Sequence, residues 1–180
     1  SRRVPEGGTL WVDGASITHI DRLLFRQDVC ILDEACAPVA GTIADNLRLG
    51  AAKGSTNRLH RVLRQVGLEK VIEALPDGLD THLLPSGAPL SSSQIRRIAL
   101  ARALLQRPRL LLVDGTFDRL GLDPDEYGQL LDLFFAKDAP WTAFVVTDSE
   151  AVKSRCRDRI DLTPPRPSRP PAEAYRRTEG

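Results

Sequence analysis

The run Leu110-Leu111-Leu112-Val113-Asp114 sets a carboxylate at the end of an apolar stretch. In sheets whose strands alternate with helices, ligands bind outside the carboxyl ends of the strands, so Asp114 stands where a ligand would gather. A second feature is Leu90-Ser91-Ser92-Ser93-Gln94, which opens a helical stretch reaching Gln106. Hydroxyls and free amides at a helix N-terminus are the elements of anion binding. They also make a plain cap, for which Ser92 or Ser93 is well placed. Gly50-Ala51-Ala52-Lys53-Gly54-Ser55-Thr56 has the ingredients of a phosphate loop in the wrong order and without a preceding buried strand, and it reads as a flexible loop. Asp118 and Asp123 follow Asp114, and Asp148 follows the apolar residues 144–146. The histidines, His19, His60 and His82, are scattered and read as surface residues. The cysteines, Cys30, Cys36 and Cys156, match no metal or redox spacing and fit a reducing cytosol.

Those groups need a scaffold. The chain's 180 residues suit one domain, and 42% hydrophobic with 27% charged residues is an ordinary globular balance. Its 25 basic side chains are offset by 24 acidic ones, leaving no field of one sign to steer nucleic acid or an anionic membrane. The bases are mostly Arg, with Lys only at 53, 70, 137 and 153. They are interleaved with acids and read as solvated surface rather than as a phosphate-binding face. No apolar run approaches bilayer-spanning length, and no signal peptide opens the chain. The absence of Met reads as a piece of a longer polypeptide.

Along the chain, Glu6-Gly7-Gly8, an alternating stretch 9–12 and Asp13-Gly14 predict a hairpin. A helix-like patch at 20–26 leads to a strand at 29–32 and an irregular segment at 33–40. Helical spacing over 57–74 is divided at Gly67 into two helices, which Pro76-Asp77-Gly78 ends. A loop containing Pro85, Gly87 and Pro89 delivers the helix 94–106, stopped by Pro108. Then come a wholly buried strand 109–113, a helix 125–135 and a strand 141–147. Beyond Leu162 the Pro/Arg-rich composition predicts disorder. Helices alternating with buried strands make the class α/β.

This ordered set resembles the nucleotide-binding domain of ATP-binding cassette (ABC) transporters, and the exporter branch fits best. The likeness is carried by Gly41-Thr42-Ile43-Ala44-Asp45-Asn46-Leu47, by Leu75-Pro76-Asp77-Gly78-Leu79-Asp80-Thr81 and by the serine-rich signature tract. It continues through Ile98-Ala99-Leu100-Ala101-Arg102-Ala103-Leu104-Leu105, Pro108 and the Walker B strand ending at Asp114, over about residues 4–162 in all. The resemblance implies a partial RecA-like P-loop NTPase core made of residues 1–44 and 106–163. It implies an inserted α-helical signature subdomain at 45–105, while the Pro/Arg-rich composition sets off a separate tail at 164–180. It also implies ATP and Mg²⁺ as cofactors, and as partners a second nucleotide-binding domain and a transmembrane domain, on the cytoplasmic side of the membrane. No nucleic acid partner is implied.

Several positions depart from the family pattern. The family's phosphate loop lies upstream of the hairpin, so the chain is expected to begin after it. Glu34 aligns with the Q-loop glutamine, where it either faces a metal or is a surface side chain in a drifted loop. Ser91 and Gln94 of the signature are kept, while Ser92 and Ser93 replace its glycines. Asp114 matches the aspartate that holds Mg²⁺. Gly115 stands where the family has the glutamate that polarises water, and no side chain there can act as a base. Asp148 replaces the switch histidine. The segment 118–123 is about two residues longer than the usual Ser-Ala-Leu-Asp. Pro85 stands where a glutamate is common in the loop that meets the transmembrane coupling helix, although Gly87 is retained. With base and switch both absent, the resemblance implies no catalytic residue and a hydrolysis-impaired site. A non-catalytic regulatory or interaction module built from a cassette is the alternative. An ABC ATPase of chromosomes, ribosomes or Fe–S assembly fits less well, given the Gly41–Leu47 segment and the absence of a basic face. Without the strands around the phosphate loop, strand 110–113 is expected at an exposed apolar edge and the isolated segment is expected to be poorly stable.

Overall fold

The computed structural model describes residues 11–12, 14–16, 19, 27–33, 37–49 and 56–160. It opens with the expected hairpin: β1 (Trp11–Val12) pairs antiparallel with β2 (Ala15–Ser16). The Glu6-Gly7-Gly8 turn, the patch at 20–26, Glu34, most of the Gly50–Thr56 loop and the tail lie outside the described residues.

β3 (Val29–Leu32) forms where the apolar run predicts it. The chain then reaches β4 (Gly41–Thr42), which turns directly into α1 (Ile43–Arg48). The turn is made by a capping box. Thr42 Oγ1 accepts from the Asp45 amide at 3.0 Å, and Asp45 Oδ2 accepts from the Thr42 amide at 3.0 Å. The bond from the Thr42 backbone, followed by that from its side chain, holds the Asp45 carboxyl below its ordinary value. This part of the cap is therefore complete at neutral pH and is lost only as the pH falls through that lowered value.

α2 (Thr56–Gln65) and α3 (Glu69–Glu73) are the two helices expected on either side of Gly67. After a 3-10 turn at Gly78–Asp80, β5 (His82–Leu83) pairs antiparallel with β4, Gly41 facing Leu83. α4 (Ser92–Gln106) starts two residues before the predicted helix, and its cap is Ser91 rather than Ser92 or Ser93. Those two serines are the first two helical residues. The reason lies in the partner three positions on, since only Ser91 has Gln94 at the right offset to return the bond. Nine of the residues of α4 are buried, so it is a central helix rather than a surface one. β6 (Leu110–Asp114), α5 (Pro124–Phe134), β7 (Thr142–Val146) and a short α6 (Glu150–Lys153) complete the described elements. Asp123 caps α5 through the Asp125 and Glu126 amides. No helix among the described residues is long and apolar enough to cross a membrane.

β3, β6 and β7 form one parallel sheet in the order β3-β6-β7. The register aligns Cys30, Leu111 and Ala143 in one row and Leu32, Val113 and Val145 in another, and both rows face the core. The intervening row, Ile31, Leu112 and Phe144, faces the other way, with Ile31 58% and Phe144 55% exposed. Two expectations are corrected here. β6 is the middle strand, paired on both sides, and not an edge; the unpaired edges among the described residues are those of β3 and β7. Nor is β6 wholly buried: among the described residues helices cover one face of the sheet, so burial along the strand alternates. On the covered side one core joins the sheet to α1, α2, α4 and α5, including the aromatic cluster of Phe117, Phe134, Phe135 and Trp141.

Candidate functional site

Three strands deliver carboxylates or hydroxyls to one edge of the sheet. Asp114 ends β6, exposed, opposite Val146 of β7 and on the open face. Asp33 leaves β3 one residue past the Leu32–Val113 pair, and Thr147 and Asp148 leave β7. The Asp114 carboxylate accepts no hydrogen bond from the described residues, so its lone pairs are available to a ligand. No cluster of three or more His, Cys, Asp or Glu side chains gathers there among the described residues. Such a site does not suit a metal held wholly by protein. It suits Mg²⁺, which is commonly bound through one or two carboxylates together with water and substrate phosphates.

Beside Asp114 the backbone is unusual. Gly115 has φ 62° and ψ 0°, and its amide donates to Val146 O at 3.0 Å. This is the left-handed region, which a residue with a Cβ enters only at a cost of about 1–2 kcal/mol. The position therefore lacks a base and has a backbone suited to having none. The following 3-10 turn, Thr116–Arg119, is anchored by the buried Thr116 and Phe117. Asp118 on this turn accepts a short hydrogen bond of 2.5 Å from Thr147 Oγ1, which in turn accepts from the Ser149 amide at 3.0 Å. Asp118 thus ties down the segment that carries Asp148, and Asp148 itself is exposed. Sequence reasoning gave Asp118 no role, since nothing in the spacing from 118 to 147 announces a contact across two strand ends.

The serine tract forms the other half of the candidate site. Ser91 Oγ accepts from the Gln94 amide at 3.3 Å, and Gln94 Oε1 accepts from the Ser91 amide at 2.8 Å. Ser91 Oγ also lies 3.0 Å from Ser93 Oγ. A cap of this kind contributes on the order of 1 kcal/mol. Ser91 and Ser92 are exposed, and the amides of Ser92 and Ser93 donate to no described residue, leaving two helix-end donors open. The cap is thus observed in Ser91, and it leaves the first two amides of the helix without a partner among the described residues. The segment 118–123 reaches this tract, because a Cβ on Gly121 would stand 3.1 Å from Ser93 Oγ. Asp114 and the serine tract are joined in this way through a single turn and loop. His19, His60 and His82 are exposed and stand apart, as expected.

One buried ion was not foreseen. Arg97, one turn into α4, is 6% exposed and donates to Gly67 O at 2.8 Å. Burial lowers its pKa, partly opposed by Glu126. It ties the start of α4 to the α2–α3 turn, and no periodicity marks it because it stands on a helix buried nearly all round.

A family model described as ABC transporter matches residues 1–118. The ABC multidrug transporter MDR2 of Trichophyton tonsurans is 30% identical over 128 residues, which are 69% of this chain and 9% of that protein. The glutathione/L-cysteine transport system ATP-binding/permease protein CydC of Escherichia coli is 32% identical over 143 residues, 79% of this chain and 24% of that protein. Among solved structures, a bacterial Atm1-family ABC exporter with ATP bound superposes with a TM-score of 0.69 at 25% identity, covering 80% of this chain and 25% of that one. The chain thus spans no more than a quarter of the length of these relatives.

Proposed function

Since the chain belongs to the ABC transporter family, we propose that it is part of the nucleotide-binding domain of an exporter, working on the cytoplasmic side of a membrane with its own site impaired in hydrolysis. The observation that carries this reading is the Asp114 carboxylate at the C-terminal end of β6, without a hydrogen-bond partner among the described residues and linked through the 118–123 segment to a capped helix whose first amides have none either. Its fold is a partial ABC ATPase of the P-loop NTPase class. Residues 1–44 and 106–163 are taken as its α/β part and 45–105 as the helical signature part.

When Mg·ATP is bound, it supplies the electrophilic γ-phosphorus, and the work left to the protein is positioning and charge stabilisation. Asp114 would hold the metal, and Glu34, aligned with the Q-loop glutamine, is the second candidate. The Ser92 and Ser93 amides, pre-aligned by the Ser91–Gln94 box, face outward as donors for a phosphate carried by a partner domain. Gly115 offers no carboxylate to take a proton from water. Asp148 sets a negative charge where the family has a histidine, and repels a γ-phosphate. Docking to a transmembrane domain is supported by the exposed Val39 (52%), Leu49 (42%) and Leu84 (59%). Val39 lies two residues before β4 and Leu84 directly after β5, beside the loop that contains Pro85 and Gly87, while Leu49 ends α1. Large apolar side chains grouped on a surface mark contact sites.

Gly115 and the anchored Asp148 segment equally suit a regulatory module that binds no nucleotide. Calorimetry of Mg·ATP with the complete polypeptide separates the two. Binding weakened about tenfold or more by Asp114→Ala, equal to about 1.4 kcal/mol, with turnover at background, is expected. Absence of binding would leave the regulatory module, and turnover abolished by Asp114→Ala would overturn the impairment.

A further inference from the structure

Asn46 is 1% exposed, and its side chain is saturated with hydrogen bonds. Nδ2 donates to the carbonyls of Val39 at 2.8 Å and Thr42 at 2.9 Å. Oδ1 accepts from the Val39 amide at 2.9 Å and from the Arg102 guanidinium at 2.5 Å. An amide has two donors and two acceptor sites, so none is left over. The network also fixes the orientation of the amide. Turned over, it would set its NH₂ against an N–H and a guanidinium, and its oxygen against two carbonyls. Arg102 Nε donates in addition to Asn46 O at 2.7 Å. That carbonyl belongs to the last turn of α1, which has no acceptor role left within the helix.

Three parts of the chain meet at this pair. Residues 37–42 come from the C-terminal end of β3, α1 follows them, and Arg102 stands on α4, whose first turn carries Ser91–Gln94. Residues 37–40 have no ladder of their own, and two of the bonds that hold them come from this one buried side chain. Buried polar networks that are fully satisfied rigidify their surroundings, and removing one member strands the others.

We propose that Asn46 and Arg102 are positioning residues that lock residues 37–42 and α1 to α4 as one body, so that the loop leaving the sheet and the serine-bearing helix start keep a fixed separation. The proposal rests on the nucleotide-site reading only for what that separation serves. The loop leads from the Q-loop position and the helix start offers the signature, so one ligand-linked displacement would carry both. Coupling of this kind requires an element with a defined rigid arrangement, which the saturated amide supplies.

The test is a distance measurement in the complete polypeptide without nucleotide. Spin labels are placed at the exposed positions Ala40 and Ser92 by non-cysteine chemistry, and labelled protein is diluted into unlabelled protein so that only intrachain pairs count. Arg102→Met keeps the aliphatic stem and removes the donors. Asn46→Asp removes the donor that Val39 and Thr42 need. Each is expected to broaden the distance distribution about twofold or more. Leu59→Ala, which removes core packing in α2 without touching the network, is expected to lower Tm and leave the width unchanged. Unchanged widths in both network variants, or equal broadening in Leu59→Ala, would overturn the proposal. If Arg102→Met does not fold, Arg102→Lys is read by the same criteria. Because no nucleotide is present, this result is independent of whether Mg·ATP binds.

Discussion

Phe117→Ala is expected to destabilise the protein by about 3–5 kcal/mol, the range for emptying an aromatic site in a core. Phe117 is 1% exposed and meets Phe134 edge to face at 5.3 Å between centroids, with Phe135 at 5.7 Å. The far side of Phe134 is fixed as well, by Trp141 at 5.6 Å, whose indole N–H donates to Phe134 O at 3.0 Å. Little around the ring is free to collapse into the space it would leave. The effect also reaches the site, since Phe117 lies on the turn that carries Asp118, between Asp114 and the 118–123 segment. Urea denaturation measures it. A loss under about 1 kcal/mol would mean that the cluster relaxes and is not packed as described.

Gly87→Ala ranks second. Gly87 has φ 92°, outside what a residue with a Cβ adopts without strain, and an added Cβ would stand 2.8 Å from Ile95 Cγ1. Backbone strain of about 1–2 kcal/mol and overpacking of about 1–3 kcal/mol combine to an expected loss of about 2–5 kcal/mol. Glycine lets the loop lie directly on the first turn of α4, where Gly87 N–H donates to Leu84 O at 2.8 Å and Leu90 N–H to Gly87 O at 3.1 Å. Comparison with Ile95→Ala, which removes the Cγ1 that the new Cβ would meet, separates the two causes. If trimming Ile95 restores about half of the Gly87→Ala loss, the clash is real; if it restores none, the strain is entirely in the backbone. A neutral Gly87→Ala would refute the close approach itself.

Elements with a period long enough to show were legible in the sequence. β3 falls on residues 29–32, the helix pair divides at Gly67, and α5 and β7 differ from expectation by a residue at each end. Two-residue strands have no period, so the β4–β5 pair, held by Gly41–Leu83 and Thr42–His82, was not expected. The apolar run of β6 suggested a strand covered on both sides, because half-buried leucines look the same in sequence as leucines that face a core. For the site, Asp114 at a strand end and the serines at a helix start followed from residue type and position. The Asp118–Thr147 bond, the buried Arg97 and the saturated Asn46 did not, because each depends on which distant backbone lies opposite. Glu34, whose role was left open, falls outside the described residues.

β3 and β6 are neighbours in the sheet, yet everything from Asp33 to Arg109 intervenes between them, whereas β6 and β7 are joined through little more than α5. Closing the longer loop costs more chain entropy, and pairings of high sequence separation are slow to form. The helices in between make many of their contacts with one another, so they can mature first and shorten the effective loop that β3 must close. Sheet assembly is then ordered in time, with β6–β7 early and β3 last. In pulse-labelling hydrogen exchange during refolding, the amides of α4 and β7 would become protected before that of Arg109, which donates to Asp28 O at the start of the β3–β6 ladder. Simultaneous protection would instead mean that the long insertion imposes no delay.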